Sequence, residues 1–296
     1  MQEPITQSTF VLTADIGGSH ITAAICNLET GSVLKGTCFR AEFSSKSSAA
    51  SILENWVGVF KRVLKNFESP VSKMGIAMPG PFDYAEGISY ITGLNKYESL
   101  YGINIKEYLV QHLNLHPHDI KFRNDAEAAI AGEIFAGEVK NYESAVGITL
   151  GTGFGSAYYK NGVTTDLNWG SDPYKTSIAD DHLSTRWFIK RYYELTGVSV
   201  QGVKELALIA TESSMARIVF SEFGKNLAEF LLNKFVLVQP QVLIVSGNIA
   251  KAHRYFIPYL SKQVLPVHTE IAQQGENAAL LGAAALFQTS ATSVYK

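Results

Sequence analysis

The chain has 296 residues, 46% apolar and 18% charged, with a formal net charge of −2: enough length for two lobes with separate cores, and a folded rather than a disordered balance. No Lys/Arg run marks a nucleic-acid surface, no apolar run reaches the ~18 residues of a membrane helix, and Cys26 and Cys38 form no Cys-x-x-Cys pair for a disulfide framework or a cysteine-based zinc cage. Met1 to Thr9 is polar and short, so no secretory leader is expected and the cytoplasm is the expected location.

In chain order, Phe10 to Asp15 is a short apolar run that breaks at Gly17-Gly18. Ile21 to Cys26 resumes it, and Glu29-Thr30-Gly31 turns the chain again, which predicts a β-meander. Ser51 to Phe67 carries Ile52, Leu53, Trp56, Val57, Phe60, Val63 and Leu64 at helical spacing. Lys73 to Met78 reads as a buried strand stopped by Pro79-Gly80-Pro81. A helix is predicted over Ile105 to His112, a strand over Ile120 to Arg123, and an Ala-rich helix over Ala126 to Ala136.

A similar opening then recurs. Ala145 to Leu150 is an apolar strand broken at Gly151-Thr152-Gly153-Phe154-Gly155; Ser156 to Tyr159 follows, and Asn161-Gly162 is a hairpin signal. Strand, Gly-rich turn, strand and turn therefore appear twice, as duplicated lobes facing one another across a cleft would produce. Ser184 to Leu195 and Met215 to Phe235 read as helices, the second with a clear apolar stripe. Gln241 to Ser246 is a buried strand ending in Gly247-Asn248. The last helix, Asn277 to Phe287, is rich in small residues, and its internal Gly282 points to close helix packing.

Three elements carry candidate chemistry. In Asp15-Ile16-Gly17-Gly18-Ser19 a carboxylate at a strand end precedes a Gly turn whose bare N–H groups can approach phosphate oxygens. Asp15 is also placed to help hold Mg²⁺ through waters; a plain hairpin turn is the bland alternative. Gly151-Thr152-Gly153-Phe154-Gly155 is not a P-loop, having no Lys-Ser/Thr after it, and it opens a strand rather than the helix of a dinucleotide site. Asn124-Asp125 lies where a strand ends and a helix begins. Asp125 there serves as an N-cap, as a general base for an attacking hydroxyl, or as both.

Taken together with Gly75-Ile76-Ala77-Met78-Pro79-Gly80-Pro81, Ala126-Glu127-Ala128-Ala129, Gly132-Glu133, Val245-Ser246-Gly247-Asn248-Ile249 and Gly275 to Ala284, these segments resemble the ROK family of sugar kinases and sugar-responsive repressors. The resemblance implies an α/β actin-like ATPase (ribonuclease H-like) duplicated fold, with two lobes around a central cleft. The lobes are expected at residues 1–122 plus 277–296 and at residues 123–276. It implies ATP with Mg²⁺, a hexose or amino-sugar acceptor, Asp125 as general base and Asn124 as a sugar contact. Asp15, Gly17, Gly18, Ser19, Gly151, Thr152, Gly153, Gly247 and Asn248 are then the expected nucleotide-binding residues. The family's repressors carry a helix-turn-helix domain ahead of the first Gly turn; 14 residues precede Asp15 here, which favours a kinase.

The pattern breaks after the second Gly turn. Where family kinases carry Glu-x-Gly-His and a Cys-rich zinc loop, this chain has Asp166-Leu167-Asn168-Trp169-Gly170-Ser171-Asp172. Asn168 replaces the Glu, Ser171 replaces the His, and no cysteine lies beyond Cys38, so no zinc is expected and the sugar pocket is read as rebuilt. Candidate sugar contacts are Asn95, Tyr97 and Asp181-His182. Tyr97 and Trp169 are candidate apolar faces for the ring, although Asp181 is also favourable simply as a residue at a helix start. The expectation is an ATP-dependent sugar kinase with a small-molecule sugar as partner, no nucleic acid and no membrane; a homodimer is left open. The alternatives are a sensor that has lost catalysis and an actin-like ATPase with a non-sugar acceptor.

Overall fold

The computed structural model describes residues 9–288, and contacts divide the chain into two compact units, Met1–Glu138 with Glu276–Lys296, and Val139–Gly275. The first crossing falls later than the 122/123 expected above, because the strand and helix after residue 119 stay with the first sheet. No helix among the described residues is long and apolar enough to cross a membrane.

In the first unit β1 (Phe10–Ile16) pairs antiparallel with β2 (His20–Asn27), which carries β3 (Ser32–Val33) and β4 (Phe39–Glu42) on its outer side. The helix α1 (Ala49–Lys65) begins at Ser48, whose side chain accepts the Ser51 N–H, satisfying one of the donors a helix start leaves open. Its apolar stripe places Ile52, Leu53, Trp56, Phe60 and Val63 in one core with Leu12, Ile16, Ile21 and Ile25. Each such side chain contributes about 1.5–3 kcal/mol on burial. β5 (Lys73–Met78) lies parallel to β1, with Met74 to Met78 all buried. Cover on both faces is why its sequence is a continuous apolar run rather than an alternating one. After the small hairpin β6 (Phe82–Asp83) and β7 (Ile88–Ser89) and the helix α2 (Ile105–Leu113), β8 (Ile120–Asn124) joins parallel to β5, and α3 (Asp125–Ala136) follows at once.

The second unit opens in the same way. β9 (Ser144–Leu150), β10 (Phe154–Lys160) and β11 (Val163–Asp166) form an antiparallel meander. Asn161 and Gly162 both take left-handed backbone, φ 50 and 87°, as the two-residue hairpin turn requires. Then come β12 (Pro173–Tyr174), β13 (Ser177–Ile178), α4 (Ala179–His182), α5 (Thr185–Thr196), α6 (Val203–Ile209) and α7 (Ser214–Val238). β14 (Val242–Ser246) runs parallel to β9, and after α8 (Ile257–Ser261), β15 (His268–Ile271) runs parallel to β14. The core is aromatic: Phe188 and Phe223 have ring centroids 4.5 Å apart, and Phe220 and Phe256 pack around them.

The strand orders, β3-β2-β1-β5-β8 and β11-β10-β9-β14-β15, are the same path through two sheets, which is the half-molecule repeat seen in the sequence. The last helix, α9 (Ala278–Ala285), returns to the first unit and packs on α3. A Cβ on Gly132 would sit 1.8 Å from the Ala278 carbonyl oxygen, and one on Gly282 would sit 1.8 Å from that of Ala128. The two helix backbones touch, so the small-residue run of α9 is a packing requirement.

Candidate active site

The first unit brings two carboxylates to the C-terminal ends of parallel strands, where open α/β sheets bind ligands. Asp15 is the penultimate residue of β1, and Asp125 opens α3 directly after β8. Burial pushes the Asp15 carboxyl up to about 6, and the charge of Asp125 adds to this. Beyond Asp15 the Gly turn is closed by Gly17 N–H donating to the His20 carbonyl at 2.9 Å, and Gly18 and Ser19 are exposed at its tip.

The N-cap of α3 is Asn124, not Asp125. Its Oδ1 accepts the N–H groups of Ala126 at 2.9 Å and Glu127 at 3.2 Å, while its Nδ2 donates to the Tyr84 hydroxyl at 3.2 Å. Asp125 Oδ1 accepts the Ala126 N–H at 2.9 Å as well. The cap is thus supplied by the residue one earlier than the capping reading of Asp125 required, and Asn124 has much of its hydrogen-bonding capacity committed within the fold.

Tyr97 corrects the expectation more sharply. It is 0% exposed, with its ring between Trp56 and Phe43 at centroid distances of 5.8 and 6.0 Å. The face expected to stack on a sugar is taken up by the core. Its hydroxyl donates to the Gly17 carbonyl, so Tyr97 braces the first Gly turn from beneath. Burial pushes its phenol pKa up, and the charges of Asp15 and Asp125 push it further. Asn95 is exposed, with its backbone left-handed at φ 54° and its N–H donating to Glu98 Oε1 at 3.1 Å. The aromatic of this loop that does reach solvent is Tyr101, 58% exposed and set edge-on to Tyr90 at 6.1 Å.

In the second unit Gly151 N–H donates to the Gly153 carbonyl at 3.0 Å, leaving Thr152 exposed at the tip of the turn. Thr185 anchors the same turn, its N–H and Oγ1 both donating to the Gly151 carbonyl at 2.8 Å. Asp180, which the sequence did not single out, lies against Gly153 and accepts the Phe154 N–H. Arg186 holds it, with Nη2 2.7 Å from Asp180 Oδ2 and Nη1 2.7 Å from Asp181 Oδ1. Gly247, at φ 90°, follows β14 and packs against the end of β9: a Cβ there would lie 2.4 Å from the Leu150 carbonyl oxygen. The Gly151–Gly153 turn and Gly247-Asn248 therefore meet at the C-terminal ends of two neighbouring parallel strands, with Asn248 exposed.

Asp181 is engaged by Arg186 and by the Ser177 hydroxyl; that hydroxyl's hydrogen bond, with the guanidinium second, holds its carboxyl below the usual range. His182 Nε2 lies 3.3 Å from Thr176 Oγ1 and its ring meets Tyr174 edge-on; burial holds its pKa down. Trp169 is 6% exposed, packed on Phe230, so it too lines the core rather than a sugar face. The Ser171 hydroxyl donates to Asn168 Oδ1 at 3.2 Å. Among the described residues no group of three or more His, Cys, Asp or Glu side chains converges as a metal cage.

Two sheets of one strand order, each with a Gly-rich turn after its first strand, define the actin-like ATPase class of α/β folds. The ROK family pattern matches residues 11–166 and 182–290, and the chain belongs to that family. It is 22% identical over 313 residues to N-acetyl-D-glucosamine kinase of Haemophilus influenzae, covering 93% of this chain and 98% of that protein. Among solved structures it is similar to a ROK family glucokinase from Streptomyces griseus in complex with glucose and AMPPNP, with TM-score 0.72, 20% identity and 94% and 98% of the two chains covered. It is also similar to a ROK family transcriptional regulator described as a homologue of the E. coli MLC protein, with TM-score 0.77, 16% identity, and 94% of this chain and 77% of that one covered. The stretch between the two matched segments holds the β12–β13 hairpin, so the departure lies where the sequence pattern breaks.

Proposed function

We propose that the protein is an ATP-dependent sugar kinase of the cytoplasm, transferring a phosphoryl group to a hydroxyl of a hexose or amino sugar. The observation that carries this reading is the placement of two carboxylates, Asp15 and Asp125, at the C-terminal ends of β1 and β8, with a Gly turn directly after Asp15. Asp125 is the general base: it takes the proton of the attacking hydroxyl as that oxygen bonds to the terminal phosphorus and ADP leaves. With Asn124 supplying the cap, the carboxylate at position 125 is not there as the helix's principal N-cap. In the first unit Gly17-Gly18-Ser19 is proposed as a phosphate-binding turn, with Gly18 and Ser19 at its exposed tip; in the second, Gly151-Thr152-Gly153 and Gly247-Asn248 are the proposed nucleotide contacts. Asp15 is an oxygen donor of the kind Mg²⁺ prefers, and Mg²⁺ would screen the phosphate charge there.

The acceptor is proposed to be an amino sugar or another hexose derivative, with weak activity on plain glucose. The relative named for N-acetyl-D-glucosamine supports that class, and so does the reading that Asn168 and Ser171 stand where family kinases carry Glu and His. Asn124, Asn95 and the Asp181-His182 pair remain the proposed polar contacts, with no zinc in the site. A coupled assay of purified protein with Mg²⁺–ATP over a panel of hexoses and amino sugars tests this. Turnover of at least one amino sugar above glucose is expected; no turnover of any sugar would overturn the kinase assignment in favour of a sensor. Metal analysis should find less than one zinc per chain.

A further inference from the structure

The first unit presents a charge problem. The charges of Asp125 and, more weakly, Glu276 both bear on Asp15 at this end of the sheet, and a triphosphate adds more negative charge. Phosphoryl transfer needs positive groups aimed at the transferring oxygens. Arg123, which leads into Asn124-Asp125, is committed to the fold: it is buried against Glu127 at 3.2 Å and donates to the Gly282 carbonyl at 3.1 Å. His20, at the foot of the Gly turn, has its pKa held down by burial and by Arg40.

Arg40 is different. In the sheet register Asp15 stands opposite Thr22, and Thr22 opposite Arg40. Residues directly opposite share a face, so Arg40 and Asp15 point the same way from strands about 10 Å apart, with only a threonine between them. The sole ion pair of Arg40 among the described residues is with Glu276, at 3.9 Å, and the two side chains are 50% and 92% exposed. A long, solvated pair of this kind holds its partners weakly, and the guanidinium exchanges it at little cost for a phosphate, which it can bind through two N–H groups.

We propose that Arg40 is a catalytic residue that leaves Glu276 to bind the terminal phosphoryl oxygens of the bound nucleotide. This rests on the kinase reading above. As the acceptor oxygen–phosphorus bond forms and the bond from that phosphorus to the bridging oxygen breaks, the acceptor proton passes to Asp125 and ADP departs. Arg40 neutralises charge on the oxygens in flight and enters none of the bonds. Glu276 holds the guanidinium near the turn while the site has no triphosphate.

The test pairs binding with turnover. Calorimetry with Mg²⁺–AMPPNP and Mg²⁺–ADP on wild type, Arg40→Gln and Arg40→Lys reads discrimination between tri- and diphosphate, which a merely structural role would not move. Arg40→Gln should weaken AMPPNP about tenfold and leave ADP within about twofold, since the loss of one charge-assisted contact falls on the terminal phosphate. Its kcat should fall about 100-fold with KM for the sugar unchanged, and Arg40→Lys should recover part of both. Glu276→Gln, lacking the competing carboxylate, should bind AMPPNP about two- to threefold more tightly. Arg40→Gln with discrimination within about threefold of wild type would overturn the proposal whether or not a sugar is phosphorylated, and an unchanged kcat on a sugar that is turned over would overturn the catalytic role. A wild type that discriminates through Arg40 yet phosphorylates no sugar would uphold the contact of Arg40 with the terminal phosphate and sink both the kinase reading and the catalytic role that rests on it.

Discussion

The two Gly-rich turns share a sequence pattern and a place after the first strand of a sheet, yet they are held by different chemistry. The first is braced by a fully buried phenol, Tyr97, through the Gly17 carbonyl, and it lies beside carboxylates that repel one another. The second is braced by an ion pair, Asp180 with Arg186, acting through the Phe154 N–H. Glycine frees the backbone to make either turn, but what fixes each turn comes from outside it. A buried neutral brace is insensitive to salt, whereas a part-exposed ion pair is screened by it. Asp15 and Asp125, the carboxylates proposed for the chemistry, both belong to the unit of the first turn.

The largest effect expected from that division is on rate. Asp125→Asn keeps size and polarity but removes the proton acceptor, and kcat should fall roughly 10²–10⁴-fold, about 3–5 kcal/mol of barrier. Nucleotide affinity and the circular dichroism spectrum should be unchanged; turnover within about threefold of wild type would remove Asp125 from the mechanism.

Next comes a gain in stability at the expense of function. Because the folded-state Asp15 carboxyl is raised from 3.8 to about 6, the native state holds that proton more tightly than the unfolded chain does. The stability this contributes is fully present below pH 3.8 and is lost as pH rises through about 6. Asp15→Asn cannot ionise, so it should be more stable than wild type above pH 6 by about 1–3 kcal/mol, with the gap closing toward pH 4. Urea melts across that range measure this, and a gap independent of pH would show that Asp15 is not strained by burial and Asp125.

Asp180→Ala should cost about 1–3 kcal/mol of stability by leaving the Phe154 N–H without its acceptor, and should raise the nucleotide KM several-fold. Asp180→Asn, which keeps an oxygen there, should recover most of the stability. If both variants bound nucleotide as wild type does, the second turn would not depend on this brace. The smallest effect is expected for Tyr97→Phe, about 1 kcal/mol in thermal or urea unfolding from the lost hydrogen bond to Gly17, with the ring packing retained. A much larger loss would show that the first turn leans on that one contact.

Much of the fold was legible because its signals are local. The meanders at Phe10 and Ala145, the strand Lys73–Met78 and the long helix from Ser214 follow from apolar period and Gly breaks within a few residues. The short edge strand Phe39–Glu42 was missed, since four residues of mixed character carry no period of their own and are strands only by pairing with β2. Asp15, Asn124-Asp125 and Gly247, read from Gly turns and strand ends, lie at or just after the C-terminal ends of their strands. For the candidate aromatic faces the structure gives another place. Tyr97 and Trp169 had the aromatic faces a sugar would use, and both went to the core, because burial of a large ring depends on which elements close over it.

What the sequence alone determined is the twice-used opening of strand, Gly-rich turn and strand, since periodicity and glycine act over a handful of neighbouring residues; the order of strands in each sheet came from the pairing. Only the tertiary structure decided what stands behind each turn. Tyr97 meets a carbonyl 80 positions away, Asp180 meets an N–H 26 positions away, and Arg40 shares a row with Asp15 through an intervening strand. Contacts at such separations are set by how packed layers bring distant segments together, and no local pattern of residue types encodes them.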